Sequence, residues 1–372
     1  MQKRLIALFL ALSMVCIFIL AGCGNDIYKP VKQVGKTPEV FEKIIENNLF
    51  CDIVPFENCL LKAEIVSEDT ENRTVTGKVC MLDLYGNTLA EYTCTYGDAY
   101  GIQSLTATAD GGFLFVVGFT DRSYGVDTWA SDNGYASRII KCDKNGQLQF
   151  EKAMEQVEGY ALRVCIEQND CFYFFGTIET PETKKTGINS PDDVYMTVLD
   201  QSGAVLKTKT IAGTDYDSLD AAEVSGDGFK LSVSAQSDDG DFAGSNSGGY
   251  PKDWVITVDG DLAITEKKME TGRDFLDNRL GQKDGAPIYQ SDGLFENYDA
   301  GTPSAYIGYD DFYLIISSNI TGEYEKTPLM VSAIWYYTET VYSAYDYDGK
   351  LLFRRSVDSS PDFDAWAEGY MN

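Results

Sequence analysis

The chain has 372 residues with 30 basic and 58 acidic side chains, so its formal net charge is −28. A charge of this size disfavours binding to nucleic acid and to other polyanions. The sequence contains no histidine, which excludes Ser-His-Asp and Cys-His catalysis and histidine-ligated zinc or haem unless another chain supplies the imidazole.

Residues 1–22 have the organisation of an export signal. Lys3 and Arg4 precede an uncharged, largely apolar stretch from Leu5 to Ala21, which is an n-region followed by an h-region. A bilayer-spanning helix needs roughly 20 apolar residues, and this stretch ends in small residues rather than in basic ones. The pattern favours a cleaved signal peptide over the alternative, a retained membrane helix.

The apolar stretch closes with Leu20, Ala21, Gly22 and Cys23, and this L-A-G-C sequence resembles the lipobox of bacterial lipoproteins. The resemblance implies a diacylglyceryl group on the sulfur of Cys23 and cleavage just before it. Fatty acyl chains such as palmitate would then tie the chain to the lipid bilayer, and two or three chains anchor stably where one does not. We therefore expect a protein on the extracytoplasmic face of the cell membrane, with a net charge of −30 after signal removal.

The mature chain begins with a polar segment and a short amphipathic helix. Residues 23–36 predict a flexible tether. For residues 37–50 we expect a helix with Thr37 as its cap and Pro38 in its first turn. One helical face carries Val40, Phe41, Ile44, Ile45 and Leu49. We expect this face to pack on the body of the protein, and a partner-binding helix is the alternative.

From residue 51 onward the pattern is that of an all-β, β-propeller-like domain, residues 51–372. Short runs rich in Val, Ile, Phe, Tyr and Thr alternate with turns of Asp, Asn and Gly. Four turns have an Asp followed three residues later by Gly, which suits a tight hairpin, and a fifth copy at Asp259 is interpreted as one residue shorter. The four turns are Asp83 to Gly86, Asp143 to Gly146, Asp200 to Gly203 and Asp346 to Gly349.

A second series of turns, at Asp110, Asp170, Asp227 and Asp311, interleaves with the first. Each unit is about 60 residues long and then holds four strands, which is typical of a propeller blade. Residues 59–94 account for only three strands, and the tail at Asp364 to Met371 could supply the fourth. A β-sandwich with fortuitous turn spacing is the alternative.

These units, with their D-G-G-F and D-x-x-G turns, resemble the repeats of secreted bacterial β-propeller proteins and lipoproteins over residues 59–357. The resemblance implies about five four-stranded blades. It reports on the fold and not on function. Residues 270–303 depart from the pattern as a polar insertion.

Long segments between the second and third strand of each unit are the predicted binding surface. They span residues 120–136, 179–193, 236–253 and 319–340, and loops of this length are often functional. Their aromatic side chains would suit a protein or glycan ligand, unless they pack inward. These side chains are Tyr124, Trp129, Tyr135, Tyr250, Tyr336 and Tyr337.

Of nine cysteines, Cys16 leaves with the signal and Cys23 takes the lipid. Cys142, Cys165 and Cys171 lie in strand-like stretches and are expected to be small buried hydrophobes. The acidic stretches at 237–249 and 346–351 lack the spacing of an EF-hand calcium loop. We predict no metal site and no cofactor.

The most economical function is a non-catalytic binding or scaffold module of the cell envelope, with an unidentified envelope protein or glycan as partner and no nucleic acid. A glycan hydrolase on a five-bladed propeller is an alternative, because it needs only two carboxylates. The predicted innermost strands offer Glu167, Asp220 and Glu223 for that role. An envelope assembly factor is the third possibility.

Overall fold

The described part of the protein is built from β-sheets and one short α-helix. The computed structural model describes residues 31–46, 53–56, 58–69, 74–97, 99–120, 135–154, 161–179, 192–244, 251–269, 279–283, 286–289, 295, 298–326 and 333–359. This part of the chain contains five four-stranded antiparallel sheets and the helix α1 (Glu39–Glu46). In each sheet, every strand pairs with the next one along the chain. The predicted all-β fold with about five four-stranded blades and one short N-terminal helix is confirmed.

Sheets 1 to 3 follow one another along the chain. Sheet 1 contains β1 (Ile53–Pro55), β2 (Leu60–Asp69), β3 (Thr74–Leu82) and β4 (Thr88–Gly97). Sheet 2 contains β5 (Ala99–Ala107), β6 (Phe113–Thr120), β7 (Tyr135–Cys142) and β8 (Leu148–Ala153). Sheet 3 contains β9 (Ala161–Gln168), β10 (Cys171–Glu179), β11 (Asp192–Asp200) and β12 (Val205–Ile211).

Two further sheets are separated by an additional hairpin. Sheet 4 contains β13 (Asp217–Ser225), β14 (Gly228–Ala235), β15 (Lys252–Val258) and β16 (Ile264–Met269). The hairpin of β17 (Arg279–Lys283) and β18 (Ala286–Tyr289) lies within the polar insertion, where the sequence had suggested no strands. Sheet 5 contains β19 (Thr302–Gly308), β20 (Phe312–Lys326), β21 (Ala333–Asp346) and β22 (Leu351–Asp358).

The chain divides into two compact units. Residues 39–292 form the four-sheet unit, which holds α1, sheets 1 to 4 and the β17–β18 hairpin. Residues 1–38 together with 293–372 form the other, and its described part consists of sheet 5, the segment from residue 31 to residue 38, and residues 295, 298–301 and 359. We call this second unit the sheet 5 unit.

Apolar side chains on both faces of the middle sheets hold the four-sheet unit together. On β6, Phe113 and Phe115 pack into a cluster with sheet 1, while Leu114 and Val116 pack into a cluster with sheet 3. A third cluster joins sheets 3 and 4. This explains why β6 is an uninterrupted apolar run, since a strand buried on both faces has no polar side to alternate with. The first strands of neighbouring sheets lie beside each other, β5 with β9 and β9 with β13.

The predicted Asp turns form as hairpin connections. In four of them the aspartate accepts backbone N–H groups two and four residues ahead through one carboxylate oxygen. These four are Asp83, Asp143, Asp200 and Asp259. The turn at Asp259 is not shortened, contrary to the sequence interpretation. Leu262 occupies the position of the glycine and has a φ of 61°, so the missing glycine had concealed a turn of normal length.

The fourth strand of sheet 1 comes from the segment just before it. β1 pairs with β2, with Ile53 opposite Lys62 and Pro55 opposite Leu60. Residues 59–94 hold three strands, as interpreted, and the fourth was missed because a three-residue strand is too short to show a period of two. The tail at Asp364 to Met371 lies outside the described residues.

Candidate functional site

The six aromatic residues of the predicted binding surface have different outcomes. Tyr124, Trp129 and Tyr250 lie outside the described residues. Tyr135 is the first residue of β7. Tyr336 and Tyr337 lie within β21, so the prediction of a loop over residues 319–340 was wrong. Strands β20 and β21 run on to Lys326 and from Ala333.

The extended ends of these two strands form a separate ribbon. Pairing of β19 with β20 ends at Ser318, and pairing of β22 with β21 begins only at Glu339. Beyond these points β20 and β21 pair with each other as far as Lys326 opposite Ala333, and at the near end the Ser359 N–H donates to the Thr338 carbonyl at 2.9 Å. We call this two-stranded ribbon, residues 319–326 and 333–338, the arm.

Tyr337 is the described aromatic side chain on the arm, and it is 47% exposed. It lies opposite Gly322, and a Cβ placed on Gly322 would come within 3.2 Å of the Tyr337 ring. The glycine therefore leaves room for the ring to lie against the backbone, as aromatic residues do over glycines in strands. The same register places Tyr324 opposite Trp335 and Glu323 opposite Tyr336. The arm thus contains four aromatic residues within two paired segments.

A buried polar pair lies at the base of the arm. Asn319 and Glu339 are cross-strand partners, 0% and 8% exposed, and the Asn319 amide donates to a Glu339 carboxylate oxygen at 2.6 Å. The same oxygen accepts the backbone N–H of Val31 at 2.8 Å. Glu339 therefore joins the arm to the N-terminal part of the chain.

Residues 31–36, which we call the strap, lie along β22. The backbone N–H of Val34 donates to the carbonyl of Arg354 at 3.0 Å, and the Arg354 N–H donates back at 2.8 Å. The side chains of Gln33 and Ser356 are also in hydrogen-bond contact, at 3.1 Å. A Cβ on Gly35 would approach the carbonyl oxygen of Leu352 to 2.6 Å, so only glycine allows this close approach. The last six residues of the predicted tether are held against sheet 5.

Arg354 is 8% exposed, and each of its three guanidinium nitrogens has a polar partner. It donates to the Ser343 hydroxyl at 2.9 Å and to the Tyr345 hydroxyl at 2.5 Å, and it forms an ion pair with Asp299 at 2.8 Å. The Tyr298 ring lies 5.8 Å from the guanidinium. Burial raises the pKa of Tyr298 to about 12, so this phenol stays protonated at neutral pH. The cluster fixes Arg354, whose backbone pairs with Val34 of the strap.

The carboxylates suggested for glycan hydrolysis do not form a described pair. Glu167 accepts the Ala109 N–H at 2.6 Å with one oxygen and the Gln201 amide at 3.1 Å with the other. It therefore connects turns of sheets 2 and 3. Asp220 is exposed, and Glu223 lies opposite Lys230 on sheet 4.

A group of carboxylates surrounds the linker between β12 and β13, and two of its members, Asp239 and Asp241, belong to the acidic stretch 237–249. Asp193, Asp239 and Asp241 accept the N–H groups of Gly213, Thr214 and Ala212, respectively. Asp217 is 0% exposed and accepts the Ser237 hydroxyl at 2.7 Å. Burial raises the pKa of Asp217 to about 6, although its hydrogen bonds from residues 236 and 237 act in the opposite direction. The group fixes the base of the predicted loop 236–253.

The described cysteines of the strands are free thiols. Cys142 and Cys165 are buried, as predicted, and Cys171 is half-buried. Burial raises the pKa of Cys142 to about 12 and that of Cys94 to about 11, which makes them unreactive at neutral pH. In the part of the chain that the structure describes, no group of three or more acidic or cysteine side chains could hold a metal ion. No helix there combines the length and apolarity needed to cross a bilayer.

Comparison with known proteins gives only distant similarity. No protein-family model matches the sequence, and no curated protein sequence matches it. A variant of an apocarotenoid oxygenase from Synechocystis superimposes with a TM-score of 0.38 and 12% identity, over 82% of this chain and 60% of that one. An ACO/RPE65 chimera gives a TM-score of 0.35 and 10% identity, over 80% and 58% of the two chains. The chain spans about 60% of the length of these structures, and no activity is transferred from them.

Proposed function

We propose that the protein is a membrane-anchored, extracytoplasmic lipoprotein whose β-sheet body is a non-catalytic binding or scaffold module of the cell envelope. The observation that carries the proposal is Cys23, at the end of an L-A-G-C sequence that follows a basic start and an uncharged apolar stretch. Acyl chains on this cysteine would retain the body at the membrane after signal removal.

The anchor can be tested by growing cells that express the full chain with an alkyne-bearing fatty acid. Label should appear on the wild-type protein and on Cys16→Ser, because Cys16 lies within the signal. Cys23→Ser should lose the label and leave the membrane fraction. Mass spectrometry of the N-terminal peptide should place the acyl groups on Cys23. Retention of label in Cys23→Ser would contradict the proposal.

The arm and the predicted aromatic loops support the binding role. Tyr337 is exposed on a ribbon that carries no described strand on either side, and tyrosine rings provide rigid contact area for protein and glycan ligands. Trp129 and Tyr135 were predicted to contribute from the segment 120–136. The partner is proposed to be an envelope glycan or protein.

A glycan and cell-wall-fragment array, probed with soluble protein starting at Gly24, tests this role. We expect selective binding that falls about tenfold or more in Tyr337→Ala or in the Trp129→Ala and Tyr135→Ala double variant, as for interfacial aromatic anchors. The matched control is Tyr216→Ala, since Tyr216 is 36% exposed on the four-sheet unit. Turnover of a bound glycan would favour the hydrolase. No binding on the array, with crosslinking of the acylated chain to one envelope protein, would favour the assembly factor.

A further inference from the structure

The strap is the described segment that follows the proposed lipid anchor in the sequence, and it is held against β22. Val31 is held by Glu339 and Val34 by Arg354. Eight residue steps separate Cys23 from Val31, and a fully extended chain spans at most about 3.5 Å per residue. An acylated Cys23 would therefore keep this edge of sheet 5 within about 28 Å of the bilayer surface.

The charge of this edge is opposite to that of the whole protein. Residues 31–36 and 349–357 contain no acidic side chain, although acidic residues outnumber basic ones by 58 to 30 in the chain. Lys32, Lys36 and Lys350 are exposed and Arg355 is half-buried. The bridge between Val34 and Arg354 is what brings the two basic segments side by side.

Acidic groups near this edge are largely occupied or lie at its ends. Asp299 is paired with Arg354, and Glu339 is buried and hydrogen-bonded. Asp346 accepts the Lys350 N–H within its own turn. Asp348 is exposed in that turn and Asp358 is exposed at the far end of β22. The centre of the edge therefore remains basic, and Leu352, which is 42% exposed there, adds an apolar side chain.

We propose that this edge, formed by Lys32, Lys36, Lys350, Leu352 and Arg355, docks on the anionic headgroups of the membrane that holds Cys23. The inference rests on the proposed lipid anchor and adds the orientation of the body. Basic side chains next to a membrane anchor strengthen attachment to anionic lipid, by about fivefold for each charge. The acyl chains hold the edge at the surface despite the net negative charge of the body, which would repel the unanchored protein.

The test uses the full acylated chain in nanodiscs that contain 30% phosphatidylglycerol or phosphatidylcholine alone. A donor dye on an azide-bearing amino acid at position 302, an exposed residue of β19 outside the docking edge, reports energy transfer to acceptor-labelled headgroups, and fluorescence lifetimes give the ratio of docked to undocked molecules. We expect the ratio to be higher on anionic lipid. It should fall about fivefold for each of Lys32→Gln and Lys36→Gln, and it should fall with added salt.

Lys144→Gln is the matched control, because Lys144 is an exposed lysine in a turn of sheet 2; its docking ratio should equal that of the wild type. Unchanged thermal unfolding of the lysine variants would show that the strap is still in place. An equal docking ratio on the two lipids, or an equal effect of Lys144→Gln, would overturn the proposal. If Cys23 is acylated and the docking ratio is the same on the two lipids, the docking edge alone is refuted. If Cys23 carries no acyl groups, the anchor and the docking edge are refuted together.

Discussion

Lys141 is a fully buried lysine, 0% exposed, on β7. Its ammonium donates to both oxygens of Asp110, at 3.0 and 2.9 Å, and to the carbonyl of Cys142 at 2.8 Å. Burial opposes the ionisation of Asp110, but hydrogen bonds from Thr108, Lys141 and Gly112 outweigh it and lower the pKa of Asp110 to about 2. The two partners are not equivalent, because the side chain of Asp110 is 40% exposed and water can solvate it.

This asymmetry predicts unequal costs for removing the two charges. Asp110→Asn leaves the buried ammonium without a counter-charge and should lower the free energy of unfolding by about 3 to 5 kcal/mol. Lys141→Met removes the buried charge and keeps an unbranched chain, so its cost should stay below about 1.5 kcal/mol. Urea unfolding at pH 7 measures both. Equal costs, or a larger cost for Lys141→Met, would contradict this account of the pair.

Asp217 shows the opposite effect of burial on a carboxyl group. Its folded-state pKa of about 6 lies above the ordinary value for aspartate, which is about 3.9. Between about pH 4 and pH 6 the folded state therefore binds more protons than the unfolded state. Stability from this group is present below about pH 4 and is lost as the pH rises through 6.

Asp217→Asn should remove this pH dependence, since the amide approximates the protonated acid. The melting temperature of the variant relative to the wild type should be higher at pH 8 than at pH 4.5, by an amount that corresponds to at most about 3 kcal/mol. Thermal unfolding followed by circular dichroism at the two pH values gives the comparison. Any cost of lost hydrogen bonds to Ser237 cancels in the difference. The same offset at both pH values would show that folding does not raise the pKa of Asp217.

Helix α1 packs on the turn of sheet 1, whereas the corresponding turns of sheets 2 and 3 pack on a strand. The turn glycines of sheets 2 and 3 pack on the outer strand of the preceding sheet, Gly146 on Glu91 of β4 and Gly203 on Phe150 of β8. In sheet 1, which no sheet precedes in the described part of the chain, Gly86 packs on Ile44 of α1 instead. Phe41 and Ile44 are buried, and the Phe41 ring lies 6.3 Å from that of Tyr85. The helix therefore covers the first turn of the series.

Loss of this cover should destabilise the four-sheet unit. Ile44 is 0% exposed, so Ile44→Ala should lower the free energy of unfolding by about 2 to 4 kcal/mol through lost apolar contact and an unfilled space. Glu39→Gln, at an exposed position of the same helix, should change it by less than about 0.5 kcal/mol. Urea unfolding curves report both. If Ile44→Ala matched Glu39→Gln, α1 would contribute little to the stability of sheet 1.

At the scale of the whole molecule, local chemistry made the repeat predictable and long-range pairing made the arm unpredictable. The Asp turns are set by hydrogen bonds within five residues, so their spacing was visible in the sequence. The arm depends on pairing between residues 319–326 and 333–338, and Gly322 within it resembles a turn residue until its partner Tyr337 is known. Asp217 could not be distinguished among 58 acidic residues, because its burial arises only when β13 meets the loop at Ser237.

The four-sheet unit also has polar side chains on its two end faces. On sheet 1 the face turned away from sheet 2 carries Lys62 and Lys78, both paired with Glu64 at 2.7 Å, beside the buried Leu60 and Leu82. On sheet 4 the face turned away from sheet 3 carries Ser232, Ser234 and Lys230, by their alternation with the apolar residues of β14. The apolar clusters of the described residues therefore lie between sheets 1 and 2, sheets 2 and 3, and sheets 3 and 4.

This distribution predicts that residues 39–292 fold without the rest of the chain. The fragment should be soluble and should unfold in one cooperative transition, with Trp254 as a fluorescent reporter, because every apolar cluster between its sheets is intact.

Residues 39–212 form the matched control. This shorter fragment ends after β12 and would expose the face of sheet 3 that carries Phe175 and Met196, both 0% exposed against sheet 4, so we expect it to aggregate. Size-exclusion chromatography and urea unfolding compare the two fragments. Aggregation of the longer fragment would mean that sheet 5 is needed to complete the core of sheets 1 to 4.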